Sequence, residues 1–210
     1  MLKIENTEVL GWEHAIRGAR NPMNSWDRSD SYYGCARDDY ELNLGPNDYD
    51  LMTRLRNAGT DHRKYMRMVT VYADITAPLY WWKEYDTYKV GTVANSCSTM
   101  HKIQAKEFTL DDFSHEHLTS ASRECLERTI QALNFYREEF NRLNVKEDWW
   151  QLVQLLPSAY NQRRTVMLNY EVLANIYKSR KNHKLDEWHT FCDWIESLPY
   201  SELITGKEEK

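Results

Sequence analysis

The spacing of apolar residues is most regular in the second half of the chain, where it predicts helices. Residues 120–143 repeat apolar side chains at near-helical intervals, and a second helical stretch, residues 147–156, stops before Pro157. Residues 165–180 and 185–198 each place their apolar side chains on one helical face. The pattern therefore predicts a helical C-terminal half.

The first half of the chain contains one clear strand-type run. Residues 68–75 are β-branched and aromatic, and Pro78 ends the run. Residues 79–88 then predict a short aromatic helix, followed by a polar loop that contains glycine. The rings of this helix suit a ligand-binding wall, a subunit interface or the core of the protein equally well.

Two segments before the strand carry cap and turn residues. A helix is predicted to begin after Pro46, with Asn47 or Asp48 as its N-cap residue, and to stop at Gly59. Residues 16–26 place two arginines and two asparagines around one glycine and one proline, which is typical of a loop. Such a loop either binds an anion or leaves its arginines in solvent.

The composition indicates an ordinary folded protein. The chain has 210 residues, of which 41% are hydrophobic, enough for one core and too few for two. Eight tryptophans and fourteen tyrosines, beside only seven glycines and five prolines, exclude the collagen-like, disordered and low-complexity classes. We predict a single domain over residues 1–210, an α/β protein of the α+β-like kind with a modest central sheet flanked by helices.

The charge excludes some partners. The formal net charge is −5, from 27 basic and 32 acidic residues, which gives no general reason to bind a nucleic acid polymer or an anionic membrane. No apolar stretch approaches the roughly 20 residues that cross a bilayer, and the first residues lack the pattern of a signal peptide. The cytoplasm is therefore the expected location.

Metal and redox chemistry have little support in the sequence. No C-x-x-C pair is present, so neither a zinc site nor a redox dithiol is predicted. His115 and His117 flank Glu116, but side chains two positions apart on a helix point to different faces, and we predict no metal site. The thiols are expected to be reduced and mostly buried. They belong to Cys35, Cys97, Cys125 and Cys192.

Common catalytic motifs are also absent. The chain has no G-x-S-x-G, no H-E-x-x-H, no P-loop and no G-x-G-x-x-G, so any cofactor must be bound in another way. Three other segments carry the candidate chemistry. In chain order they are LRNAG at residues 55–59 with a polar turn at Asp61 and His62, KEYDTYK at 83–89 with NSCSTMH at 95–101, and LLP at 155–157 with NYEVLANIYKSR at 169–180.

These three segments together resemble the flavin-dependent thymidylate synthase family over roughly residues 46–190. The third segment matches best. Asn169, Asn175 and Arg180 fall in register with the family's N-x-R-x-L-x-N-F-x-x-x-R, whereas Glu171 replaces an arginine. The preceding LLP also agrees with the family pattern.

The second segment keeps only part of the family signature. That signature is R-Q-W-F-R-H-R followed by x-x-S-x-N-E-x-S-x-R-Y, and the match needs one inserted residue. Asn95 and Ser98 match in identity, and Lys83 and Lys89 keep the positive charge. The departures are Thr87, Tyr88, Ser96 and Met100.

The resemblance implies an enzyme that works as a homotetramer with sites at subunit junctions. FAD would carry electrons from NADPH, dUMP would accept a one-carbon unit at C5, and methylenetetrahydrofolate would supply the carbon. No catalytic nucleophile is expected from the protein, because the reduced flavin carries the hydride and the protein supplies positioning and charge. By position in the pattern, flavin contacts are expected from His62, Lys89, Asn169 and Asn175, and nucleotide contacts from Ser98 and Arg180.

The departures from the signature leave alternatives open. They remove positive groups, which weakens dUMP or FAD binding unless other basic side chains compensate. One alternative function is the hydroxymethylation of a pyrimidine nucleotide. Another is a flavin- or nucleotide-binding protein without catalysis, which the altered signature favours. The pairs Trp81-Trp82 and Trp149-Trp150 leave open an aromatic-rich assembly protein. The candidates for compensation are Arg17, Arg20, Arg63 and Lys64.

Overall fold

A computed structural model of the chain describes residues 1–36 and 39–206, without the side chains of residues 35–41. The strands are β1 (Lys3–Leu10), β2 (Tyr32–Ala36), β3 (Asp39–Asn43), β4 (Thr70–Pro78), β5 (Val93–Ser96) and β6 (Asn161–Asn169). The helices are α1 (Trp12–Arg20), α2 (Pro46–Asn57), α3 (Leu79–Tyr85), α4 (Ser120–Leu143), α5 (Lys146–Leu155), α6 (Tyr170–Arg180), α7 (Asp186–Glu196) and α8 (Glu202–Thr205).

The strands form two antiparallel sheets. The larger sheet has four strands in the order β1-β4-β6-β5. The smaller sheet pairs β2 with β3, with Tyr32 opposite Asn43. The chain from α4 onward is largely helical. These observations confirm the predicted α/β class, its modest sheet and its helical C-terminal half.

Strand β4 forms where the β-branched run predicts it. Val71, Ala73, Ile75 and Ala77 are buried and alternate with less buried neighbours, which is the two-residue period of a strand. The strand ends at Pro78, the predicted stop, and α3 begins at the next residue. The run therefore supplies a buried strand of the larger sheet.

The predicted helix over residues 165–180 is wrong in its first part. Residues up to Asn169 belong to strand β6, where Val166 and Leu168 are buried at alternate positions. The four-residue interval from Val166 to Tyr170 mimics a helical period, but the chain changes from strand to helix between these two residues. The start of α6 is marked instead by Asn169, whose side chain caps the helix.

The first 45 residues contain more structure than their weak pattern predicts. Strand β1 is mostly exposed, so it shows no apolar alternation in sequence. Helix α1 continues to Arg20, and the predicted loop over residues 16–26 is therefore wrong up to that residue. Small alanines conceal the helical period of α1. Its buried apolar residues are Trp12, Ala15, Ile16 and Ala19.

Helix α2 forms as predicted but begins at Pro46, before both of the expected N-cap residues. The N-cap residue is Gly45, and the carboxylate of Asp30 accepts the backbone N–H groups of Asn47 and Asp48 at 2.9 and 3.1 Å. The Asp48 side chain is fully buried instead of facing the helix end. It is used inside the protein, away from the capping position.

The described chain forms two compact units, each assembled from separate segments. Unit 1 comprises Met1–Glu5, Asp74–Thr87 and Ala94–Val166. Unit 2 comprises Asn6–Ala73, Tyr88–Val93 and the chain from Met167 onward. The single domain over residues 1–210 stays a prediction.

Unit 1 contains an apolar core next to a helix pair, α4 packed against α5. The rings of Trp81, Trp82 and Tyr85 in α3 are buried and contact one another at centroid distances of 4.9 to 5.2 Å. Of the three interpretations of this aromatic helix, the core interpretation is right. A hydrophobic cluster of this unit consists of Ile103, Phe108, Phe113, Leu126, Ile130, Leu133 and Leu152.

Unit 2 is built around helix α6. This helix packs against α7, α8 and the 3-10 turn Arg63–Arg67. At its start Tyr170 is fully buried, and its ring lies edge-on to Trp12 with 5.2 Å between centroids. Trp12 in turn contacts Tyr200 at 5.4 Å. The buried rings fix the N-terminal end of α6 in this unit.

The cysteines differ from one another in exposure. Cys192 is buried, but Cys97 and Cys125 are exposed, so the expectation of mostly buried thiols is wrong for these two. They lie at a strand end and on a solvent-facing helix position. All three are free. Among the described residues, no helix is long and apolar enough to cross a membrane.

Candidate functional site

Helix α6 carries three of the six predicted site residues. Asn169 is its N-cap, because its side-chain oxygen accepts the N–H of Val172 at 3.0 Å. Arg180 closes the helix, where a positive charge is favoured by the helix dipole. Leu173 and Ile176 are fully buried and hold the helix in unit 2. Both ends of α6 are therefore fixed by the fold.

Arg180 lies against two aromatic rings. Its Nε donates to the Tyr88 hydroxyl at 2.9 Å, and its guanidinium carbon lies 4.7 Å from the ring centre of Trp188. The same carbon lies 5.6 Å from the ring of Tyr88. Since Trp188 is fully buried, it forms a rigid apolar support for the guanidinium plane. The side chain is thus directed by its neighbours.

Asn169 contacts the same segment of chain as Arg180. Its amide nitrogen donates to the carbonyl of Gly91 at 3.5 Å. Gly91 has a φ of +76°, and a Cβ there would lie 2.9 Å from that amide nitrogen. Lys89 belongs to this segment and is exposed. The structure therefore brings Lys89, Asn169 and Arg180 to the segment from Tyr88 to Gly91.

Asn175 faces another part of unit 2. Its side-chain oxygen accepts Nη2 of Arg63 at 3.0 Å, and Nε of Arg63 also lies 3.4 Å from Glu171. Arg67 donates to both carboxylate oxygens of Glu171, and this contact raises the pKa of Arg67 above its ordinary value. His62 immediately precedes the turn and is exposed. His62 is thus the sequence neighbour of Arg63, the residue that contacts Asn175.

The two asparagines have different surroundings. Asn169 is the N-cap residue with an extended backbone, and its side chain contacts Val172 and Gly91. Asn175 lies within the helix and contacts Arg63. The segment from Tyr88 to Gly91 therefore meets Asn169 and Arg180, while Asn175 lies with Arg63.

Ser98 lies in unit 1. Its hydroxyl oxygen accepts the N–H groups of Met100 and His101 at 3.1 and 2.9 Å, which closes a local turn. The carbonyl of Met100 accepts the indole N–H of Trp149 at 3.0 Å. The first role of Ser98 in the structure is thus to stabilise this turn.

Sequence reasoning missed the partners of the predicted residues. Tyr88 stands where the signature departs from the family pattern, and Trp188 carries the signal of an ordinary helix core position. Glu171 gave the clearest signal, because a carboxylate in place of an arginine needs a positive partner. Arg63 is such a partner and was among the four expected to compensate.

The other candidates for compensation do not contact a predicted site residue in the described structure. Arg20 is buried and forms an ion pair with Asp48 at 2.5 Å, while its Nη1 donates to the carbonyl of Ser25. Arg17 is exposed beside His14, and Lys64 is exposed in the 3-10 turn. Arg20 is therefore used to stabilise the fold.

Comparison with known proteins identifies the fold. No protein-family model matches the sequence, and no curated protein matches it. The flavin-dependent thymidylate synthase ThyX from Helicobacter pylori, complexed with FAD and dUMP, superposes with a TM-score of 0.70 and 14% identity over 99% of this chain and 100% of its own. A second structure of ThyX from that organism, with FAD and dUMP, gives 0.70 and 16% over 98% of each chain. The chain has the fold of a flavin-dependent thymidylate synthase.

A third structure extends this likeness. The UMP/dUMP methylase PolB from Streptomyces cacaoi, bound with 5-Br dUMP, has a TM-score of 0.62 and 13% identity over 98% of this chain and 94% of its own. The flavin-dependent thymidylate synthase fold thus covers nearly the whole chain, beyond the three segments that resemble the family. At these identities the likeness concerns the fold, and the roles of the six site residues stay predictions.

Proposed function

We propose that the chain is an FAD-dependent enzyme that transfers a one-carbon unit to C5 of a deoxyuridine monophosphate. The observation that carries this proposal is the position of α6. The helix runs from its cap Asn169 to Arg180 in a chain whose full length follows a fold that has been observed with FAD and dUMP bound. The proposed ligand contacts therefore lie at the start, within and at the end of one well-packed helix.

The side chains present on α6 fit a flavin in chemical kind. The Asn169 amide is oriented by one accepted and one donated hydrogen bond. Asn175 is exposed, and its oxygen accepts a hydrogen bond from Arg63, so its NH2 group is the donor that this amide can offer to a ligand. Flavin carries such acceptors on its ring and on its ribityl chain. Lys89 and His62 add exposed polar groups beside these two positions.

Arg180 fits a nucleotide. Its planar guanidinium presents a fork of N–H donors that matches a uracil edge or a phosphate. The contact with Trp188 restricts the side chain, so less rotamer freedom is lost when a ligand binds. We therefore assign Arg180 to the nucleotide, with Tyr88 as the residue that positions it.

The proposed reaction requires no nucleophile from the protein. When bound and reduced by NADPH, FAD would supply the hydride. Methylenetetrahydrofolate would supply the carbon. The residues of the chain bind and orient: Arg180 would hold the nucleotide, and Asn169 with Asn175 would hold the flavin. Ser98 stays a predicted nucleotide contact. Correct relative placement of bound reactants is itself a large part of catalysis.

The arginine that Glu171 replaces in the family pattern is not the only source of positive charge beside α6. Glu171 stands where the family pattern has arginine, yet it contacts both Arg63 and Arg67. Two guanidinium groups on one carboxylate leave a net positive charge on this face. This supports binding of an anionic nucleotide or of FAD, with the charge supplied from the 3-10 turn in place of the helix.

A flavin titration tests the first half of the proposal. Adding FAD to the protein should quench flavin fluorescence, and Asn175→Ala should raise the dissociation constant for FAD about tenfold because one hydrogen bond is lost. Asn141→Ala is the matched control, since Asn141 is also exposed on a helix but lies in unit 1. Absence of quenching up to millimolar FAD would contradict the proposal.

A product analysis tests the second half. Protein with FAD, NADPH and methylenetetrahydrofolate is incubated with dUMP or UMP, and the nucleotide is examined by mass spectrometry. A methyl group at C5 supports thymidylate synthesis, and a hydroxymethyl group supports the related hydroxymethylation. Modified UMP would indicate a wider nucleotide preference. Flavin binding without modification of either nucleotide would favour a non-catalytic binding protein.

A further inference from the structure

A small cavity in unit 2 is lined by basic side chains from three elements. Its volume is 230 Å³. The basic groups come from the end of α2, from the 3-10 turn Arg63–Arg67 and from the end of α6. One amide and two hydroxyl groups complete the polar lining. The polar residues are Arg56, Arg63, Asn175, Lys178, Lys181 and Thr205, together with Tyr177.

The charges around this cavity are not balanced. Among the described residues that line it, four are cationic and none is a carboxylate. Glu171 contacts Arg63, but it also contacts Arg67, so it offsets only part of their combined charge. Positive groups gathered in a small volume repel one another, and a bound anion would offset that repulsion.

The hydrogen-bond partners of Arg56 do not balance its charge. Its Nε and Nη2 donate to the carbonyl oxygens of Leu203 and Ile204, each at 3.3 Å, and its Nη1 donates to Asn57 at 3.0 Å. These partners are neutral and fix the guanidinium without cancelling its charge. Burial lowers the pKa of Arg56, and the positive charge of Arg63 lowers it further.

We propose that this cavity is an anion site that binds a phosphate group, either as a monoester or as a diphosphate. Its volume is below the roughly 300 Å³ at which pockets for whole drug-sized ligands begin, and it suits a phosphoryl group better than a ring system. Arginine forks and lysine ammonium groups are the side chains that bind phosphate oxygens. The NH2 group of Asn175 adds a neutral donor.

The lining and charge of this cavity do not depend on the proposed function. If FAD or dUMP is the physiological ligand, the cavity takes its phosphate end, and Asn175 connects it to the predicted flavin contact. Free phosphate or diphosphate would use the same donors. The experiment therefore separates the anion itself from the nucleotides that carry it.

The test compares two charge-matched variants by calorimetry with inorganic pyrophosphate. The cavity variant is Lys178→Gln with Lys181→Gln, and both lysines are exposed, so the fold should be retained. The control is Lys102→Gln with Lys184→Gln, two exposed lysines outside the cavity lining. Each protein is then titrated with FAD and with dUMP, and the pyrophosphate titration is repeated at higher salt.

Pyrophosphate should bind the wild type, and the cavity variant should bind it about tenfold more weakly, with little change in the control. Binding should also weaken as salt is added. If the cavity variant also binds FAD more weakly, the ligand of the cavity is the diphosphate of a dinucleotide. If it also binds dUMP more weakly, the ligand is the phosphate of a nucleotide monophosphate. Loss of pyrophosphate affinity alone supports the anion site even if the proposed function fails.

Two results would overturn the proposal. One is equal pyrophosphate affinity in the wild type, the cavity variant and the control. The other is an equal loss of pyrophosphate affinity in the cavity variant and in the control, since binding would then follow the net charge of the protein and not this cavity.

Discussion

At the residue scale, Arg180 has contacts that fix its direction as well as its position. The Tyr88 hydroxyl accepts one N–H, and the ring of Trp188 supports the guanidinium plane. The residue itself is identifiable from sequence, because it lies in register with the family pattern. Its supporting residues are not, because a tyrosine in an altered motif and a tryptophan on an apolar helix face carry no such signal.

Replacing Arg180 should therefore weaken nucleotide binding strongly. Arg180→Ala should cost roughly 2–4 kcal/mol in dUMP binding, or about thirty- to a thousandfold in affinity, because two charge-assisted bonds are lost. It should lower the free energy of unfolding by only about 1 kcal/mol through the lost ring contacts. Arg180→Lys should restore part of the affinity, since it keeps the charge without the fork. Calorimetry with dUMP measures both.

The control for Arg180 is Arg123→Ala, which removes an exposed helical arginine of unit 1. Tyr88→Phe keeps the ring and removes the hydroxyl that positions Arg180, so its effect on dUMP affinity should be smaller than that of Arg180→Ala. Equal dUMP affinity in the wild type and all these variants would make Arg180 a surface residue.

Asp48 supplies a second prediction at this scale, concerning stability in acid. Burial alone would raise its pKa, but hydrogen bonds from Ser31, Ser29, Arg20 and the N–H of Asp30 together lower the pKa below its ordinary value. A carboxyl group with a lowered pKa in the folded state stabilises the protein above its unfolded pKa. That stabilisation is lost as pH falls through the folded pKa.

Asp48→Asn should thus lower the free energy of unfolding near neutral pH by about 3–5 kcal/mol, because it leaves Arg20 buried without its charge partner. The loss of stability on acidification should be smaller than in the wild type. Urea denaturation between neutral pH and about pH 3 measures both effects. Asp50→Asn on the same helix is the control, because its pair with Arg54 is exposed and should contribute little.

At the element scale, the sequence predicts most helices and the central strand β4, and it fails where two elements join. Residues 120–143 form α4 as predicted, because a long helix repeats its period many times. The join between β6 and α6 was missed because Val166 and Tyr170 happen to be four residues apart. Strand β1 was missed because most of its side chains face solvent.

The candidate site was predictable to a similar degree. Asn169, Asn175 and Arg180 lie on the predicted segment, but the role of Asn169 depends on where the helix begins. Only a helix that starts at Tyr170 makes Asn169 a cap. Contacts with residues distant in sequence, such as Arg63, need the folded chain.

Gly91 lies between α3 and β5, and its carbonyl oxygen accepts the amide N–H of Asn169 at the start of α6. Its φ of +76° disfavours any side chain, and a Cβ would lie 2.9 Å from the Asn169 amide nitrogen and 3.2 Å from Val172. Gly91→Ala should therefore destabilise the protein by more than the roughly 1–2 kcal/mol expected for backbone strain. It should also weaken FAD binding, because the Asn169 amide has to move.

Gly59→Ala is the matched control for Gly91→Ala. Gly59 has a φ of +104°, and a Cβ there would meet no atom within 4 Å. The control should show the cost of backbone strain without a change in FAD affinity. Thermal unfolding and FAD titration of both variants separate the two effects. Equal losses of stability and unchanged FAD affinity would mean that the segment at Gly91 does not act on Asn169.

At the scale of the whole molecule, the average charge conceals the local one. A net charge of −5 gives no sign of a cavity lined by four cations, because composition does not report position. The same holds for the fold, since 13–16% identity with the matched structures accompanies a common fold over nearly the whole chain. The arrangement of helices and sheet is kept where the sequence has changed.

The last prediction concerns assembly. Asn169 contacts Gly91 and Asn175 contacts Arg63, so the two predicted flavin contacts have different surroundings in unit 2. The resemblance implies sites at subunit junctions, where a neighbouring subunit would complete the site around each α6. We therefore expect a homo-oligomer whose FAD sites form only on assembly.

Dilution tests this expectation directly. A ligand that binds only the assembled form is released when the subunits separate, so the apparent FAD affinity should fall as the protein concentration falls. Sedimentation velocity followed at the flavin absorbance should show FAD travelling with the oligomer and absent from the monomer. Asn169→Ala and Asn175→Ala should each reduce binding, and mixing the two variants should restore part of it, because one mixed interface regains both intact asparagines. A monomer that carries FAD at full stoichiometry would show that each chain holds its flavin alone.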